Sequence, residues 1–118
     1  MNNQKKAALA FLYAKLHYKI GRRSIFDINM RIVYNYNFIV NNDRYNLIDL
    51  KHRKCLTGNR NSMFDPDTKS VVNLNIGENG LQAFDNQSRS FIKVSRTDNR
   101  ITVYDSKSKE FSVYEIIE

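Results

Sequence analysis

The feature that most constrains this chain is an internal repeat, visible when its aspartates are aligned. Asp27, Asp49, Asp65, Asp85 and Asp105 follow one another at spacings of 22, 16, 20 and 20 residues. Each is preceded by a large apolar residue: Phe26, Ile48, Phe64, Phe84 or Tyr104. One position further back stand Ile25, Leu47, Met63, Ala83 and Val103, all apolar, and before those Ser24, Asn46, Ser62, Gln82 and Thr102, all polar. Four residues after each Asp comes a base (Arg31, Arg53, Lys69, Arg89, Lys109), and six after comes Val33, Cys55, Val71, Phe91 or Phe111.

The columns have a mechanical meaning. Asp favours the first position of a type I turn, because its carboxylate accepts a backbone N–H two residues on. Pro66, Asn86 and Ser106 suit the position that follows. Each unit is therefore a β-hairpin with its Asp at the tip. With a loop of three or five residues, the Asp faces the base four residues later, an exposed pair contributing about 0.2–1 kcal/mol. The residue two before Asp then faces the residue six after, which places Phe91, Phe111 and Cys55 in the core. Large residues also precede each Asp on the opposite face, so both faces of every hairpin carry apolar side chains. That pattern suits hairpins closed into a barrel partly covered by a helix, or arranged radially.

Ahead of the hairpins, residues 4–20 read as a basic amphipathic helix. Leu9, Leu12, Tyr13, Leu16 and Ile20 form one stripe at helical spacing, with Gly21 as a C-cap and Phe11 and Tyr18 on another side. The expected architecture is one domain over 1–118, α+β and mostly β. It consists of the 4–20 helix and five degenerate antiparallel hairpin units, about ten strands over 24–118, in a closed or radial meander.

Charge is distributed unevenly. Residues 1–60 carry 12 Lys and Arg against 3 Asp, whereas residues 61–118 carry 7 against 9 acids. A basic half beside a near-neutral half implies an acidic partner. Lys15, Lys19, Arg22 and Arg23 gather at the helix end, and Lys51, Arg53 and Lys54 at one hairpin tip. Tyr34, Tyr36 and Tyr45 lie among asparagines, a mixture that recurs on recognition surfaces. These ten residues form the expected partner-binding set. The alternative for the tyrosines is that they are core.

The residues that carry catalysis are sparse. His17 and His52 are read as solvated, although two imidazoles on a basic chain leave a small ribonuclease as a remote alternative. Cys55 is the single cysteine and forms no intramolecular disulfide, which points to a reducing, cytoplasmic setting. A single Asp beside a base in each loop is the wrong charge pattern for calcium, and no zinc spacing or Gly-rich phosphate loop occurs. The apolar run from Ala7 to Ala14 is interrupted by Lys15 and Lys19, unlike a signal peptide, and is too short to span a membrane. The reading is a non-enzymatic protein-binding module without cofactor, metal or membrane partner. An inhibitor or immunity-type factor that caps an acidic surface on a partner protein is the form expected of such a module. A nucleic-acid-binding protein using the basic half is the alternative.

Overall fold

The computed structural model describes residues 1–18 and 23–117. Helix α1 (Asn3–Tyr18) precedes ten antiparallel strands: β1 (Ser24–Asp27), β2 (Ile32–Asn41), β3 (Arg44–Asp49), β4 (Lys54–Asn59), β5 (Ser62–Asp65), β6 (Ser70–Gly77), β7 (Gly80–Asp85), β8 (Ser90–Thr97), β9 (Arg100–Asp105) and β10 (Glu110–Ile116). Each strand pairs with its chain neighbours, and β1 also pairs with β10, so the meander closes into a barrel without edges. Of the two expected arrangements, the closed one is observed.

All five aspartates end a strand at a hairpin tip. In each, Oδ1 accepts the N–H two residues on, from Asn29, Lys51, Asp67, Gln87 and Lys107, at 3.0–3.3 Å. The loops hold four residues, however, so Asp pairs across the hairpin with the residue five later, as in Asp85↔Ser90 and Asp105↔Glu110. The expected register is therefore off by one, and a slip of one exchanges the two faces of the returning strand. The residue two before Asp still points inward and meets the residue seven after: Ile25↔Tyr34, Leu47↔Leu56, Met63↔Val72, Ala83↔Ile92. The residue six after pairs instead with the one before Asp, on the outer wall. Phe91 and Phe111 are accordingly 67% and 64% exposed rather than buried, and Cys55 stands half-buried opposite Ile48.

The second correction concerns the helix. Every residue from Lys5 to Ala14 is buried, eight of them apolar in succession, which covers all sides of a helix with 3.6 residues per turn. Such a helix is enclosed. It occupies the lumen of the barrel, nearest β9 with β1, β8 and β10 next, and does not lie over the outside along a stripe. Ala7, Ala8, Ala10 and Ala14 keep it slim enough for ten strands to surround it. Phe11 fills the wider side, its ring 4.5 Å from Tyr36 and 6.2 Å from Phe38. Asn2 caps the helix start by accepting the Lys5 N–H at 2.8 Å, and Arg60 donates to the Leu16 carbonyl at the far end. Gly21 and Ile20 lie outside the described residues. No helix among the described residues is long and apolar enough to cross a membrane.

One glycine is required by close approach. Tyr45 donates its hydroxyl to the Ser62 carbonyl at 2.8 Å across Gly58, where a Cβ would strike that same carbonyl oxygen. Gly58→Ala is therefore expected to lower the melting temperature sharply.

A paired truncation tests the register and the position of the helix together. Phe11→Ala, inside the barrel, should cost roughly 3–5 kcal/mol in chemical denaturation. Phe91→Ala, on the outer wall, should cost within about 0.5 kcal/mol of nothing. The reverse order would overturn the fold described.

Candidate functional site

The inward parity of the tip aspartates brings five carboxylates to one mouth of the barrel, and all five are buried. The start of α1 lies among them. Lys5 Nζ is 3.3 Å from Asp85 and 3.7 Å from Asp65, and it also donates to Gln87 Oε1 at 3.2 Å. Lys6 Nζ lies 4.0 Å from Asp105, and the Met1 amino group 3.4 Å. Lys54 reaches Asp65 at 3.0 Å, and His52 Nδ1 reaches Asp49 at 2.8 Å. The positive end of the helix dipole adds to the charge of Lys5, Lys6, Lys54 and the Met1 amine. Burial alone would raise the Asp65 carboxyl. The Lys54 hydrogen bond, the Asp67 N–H and the charges of Lys54 and Lys5 outweigh it and hold the group below its usual value. Asp105 is likewise held low, against burial, by the N–H of Lys107 and by the Met1 amine.

The bases four residues after each Asp do not pair with it. Arg31, Arg53, Lys69, Arg89 and Lys109 take left-handed backbone angles, φ 52–59°, and close the loops, as in the Arg31 N–H to Asp27 carbonyl bond of 2.8 Å. Their side chains are exposed, and among the described residues none of the five forms an ion pair. The barrel end thus has two electrostatic layers, five buried carboxylates beneath, of which Asp65, Asp85 and Asp105 meet cations, and a crown of five cations above, joined by exposed Lys51 and Lys107.

The ten residues expected to bind a partner divide into several groups. Arg23, Lys51 and Arg53 are exposed. Arg23 and Lys51 flank a surface groove of about 660 Å³ at the step between β1 and the tip of β3, lined also by Asn35, Leu50 and the edge of Tyr36. Lys15 is half-buried over the Phe11 ring, its amine pushed down by burial and by the charge of Arg23. Lys54 is committed to Asp65 and Asp67. Lys19 and Arg22 lie outside the described residues. Tyr34, Tyr36 and Tyr45 are corrected from surface to core: all three are at most 3% exposed, because their alternation in β2 and β3 follows the inward parity. Burial pushes the Tyr36 and Tyr45 hydroxyls up. Of the histidines, His17 stacks on Tyr13 near the end of the helix, whereas His52 serves Asp49 at a tip.

Reasoning from sequence missed the outer aromatic row. Phe84 and Phe91 have ring centroids 4.9 Å apart, Tyr104 and Phe111 4.6 Å, on adjacent hairpins just below the crown. The signal was present in the aromatic pairs flanking Asp85 and Asp105, but the parity of the loop decided on which wall they fell. Structurally the chain is defined as a helix-filled, ten-stranded barrel of hairpin repeats. Comparison with protein-family models, curated proteins and solved structures finds no match to it.

Two measurements test the charged mouth. Lys5→Met leaves buried carboxylates short of a partner and should cost about 3–5 kcal/mol, part of which Asp85→Asn in the same chain should restore. Since Asp65 and Asp105 have folded pKa values below their unfolded ones, their contribution is present above about pH 4 and lost as pH falls further. The buried tyrosines have raised values, so their contribution is lost as pH rises past about 10. Melting temperature against pH should therefore show a plateau between these limits, and Lys54→Gln should reduce the acid-side loss.

Proposed function

We propose that the chain is a non-enzymatic binding module that holds an acidic partner against the crowned end of the barrel. The observation that carries this reading is the residue type in the left-handed loop position. The backbone there favours Gly or Asn, since other side chains meet a steric penalty. All five loops nevertheless carry Lys or Arg, exposed and without ion pairs among the described residues. Among the described residues none of these side chains bonds to its own turn, so the charge itself is what the five positions share.

The lumen, where many barrels hold a small ligand, is filled by α1. Recognition then belongs to the outer surface, where unpaired bases steer an acidic macromolecule and raise its association rate. An inhibitor or immunity-type cap on an acidic protein surface is one use of such an end, and neutralising phosphates is another. The single Cys55, without a disulfide partner in the chain, supports a reducing, cytoplasmic setting on the same reading.

Charge position, and not net charge, should govern binding. Arg53→Gln with Lys69→Gln removes two crown charges, and Arg44→Gln with Arg100→Gln removes two near the opposite end. On immobilised heparin the crown variant should elute at clearly lower salt than the other. Equal elution of the two variants would reduce the interaction to overall basicity and contradict the proposal.

A further inference from the structure

We infer that the outer wall of the last two hairpins is a stacking platform for single-stranded nucleic acid, an inference that rests on the basic-end reading above and names its partner. Phe91 and Phe111 project from β8 and β10 with about two-thirds of their surface exposed, each tilted against an aromatic neighbour, Phe84 or Tyr104. Lys93 pairs across the strands with Tyr104, so a cation stands between the two aromatic pairs. A shallow groove of about 220 Å³ runs there, bounded by Gln82, Phe91, Lys93, Tyr104 and Ser106. Above it, Arg89 and Lys109 of the crown lie two residues before Phe91 and Phe111, and Lys107 bridges the tips by donating to the Ser88 carbonyl at 2.7 Å.

Flat aromatic faces on a sheet, interleaved with cations, suit unpaired bases and the phosphates that join them. Protein interfaces differ in two respects. Their cores are depleted in lysine, and their aromatic anchors are seated in well-packed pockets. Here lysines predominate among the cations, and the exposed rings stand on an open wall with only a shallow groove between them. Gln82, facing Lys93 across β7 and β8, adds an amide suited to base edges. The alternation of aromatic and cation is invisible along the chain, because Lys93 and Tyr104 are brought together only by the register of β8 with β9.

Fluorescence anisotropy with a labelled oligothymidine of about 12 nucleotides, a length within the ~4–16 a small barrel covers, tests this directly. Phe91→Ala and Phe111→Ala should each weaken binding about 5- to 100-fold with unchanged melting temperature, since both rings are exposed, while Phe91→Tyr should retain most of the affinity. Lys93→Gln should make the log–log salt slope shallower by about 0.7, one single-strand phosphate contact. A duplex of the same length should bind more weakly than the single strand. Equal affinity for single strand and duplex, unchanged by Phe91→Ala, would overturn the platform. If the crown variant still loses heparin binding in that case, the basic-end reading stands and an acidic protein surface becomes its partner. If heparin elution is also indifferent to the crown, both readings fail.

Discussion

Five carboxylates directed into one mouth of a barrel would repel one another and resist burial unless opposite charge met them there. The first turns of α1 supply that charge through Lys5, Lys6 and the helix dipole, and Lys54 contributes from the second hairpin. The dependence runs both ways. A helix carrying two lysines into a barrel lumen is equally costly without the aspartates, so the ring fixes how far the helix enters. Below the charged layer the lumen is apolar, and alanines set the helix radius while Phe11 takes up the remaining volume. Closure of ten strands and placement of the helix are thus parts of one solution.

The same tip residues separate stability from recognition. Each Asp turns inward and is bonded by its own loop, and Asp65, Asp85 and Asp105 also meet the start of the helix. The base four residues later turns outward because the left-handed residue ends the loop on the solvent side. A unit that repeats the Asp for folding therefore repeats the cation at the surface. The outer aromatic pairs follow from the even loop as well, since the residues before Asp and six after it meet on the wall. Their exposure is greatest at Phe91 and Phe111, which distinguishes the fourth and fifth hairpins from the others.

Much of this was legible in the sequence. The five units, the tip position of each Asp, its carboxylate-to-backbone bond and the existence of the first helix all follow from residue type and period. What was not legible turned on two quantities that the chain does not display. One is loop parity: Met30, His52, Thr68, Ser88 and Ser108 give no Gly or Asn to mark the left-handed position, because a base occupies the next place along. The other is the location of the helix. The stripe of Leu9, Leu12 and Tyr13 reads as one face of a surface helix, yet Ala7, Ala8, Ala10 and Ala14 complete an apolar circumference that requires an enclosed helix. The surface set suffered accordingly: tyrosines assigned to recognition became core, and phenylalanines assigned to core became surface.

Native-state hydrogen exchange of α1 tests the central claim, that the helix is the interior of the barrel, most directly. Amides of Leu9 to Ala14 should open with the same free energy as those of β7 to β9, through global unfolding alone. Exchange of these amides at a much lower free energy, while the strands stay protected, would mean that the barrel stands without its helix and would contradict the account.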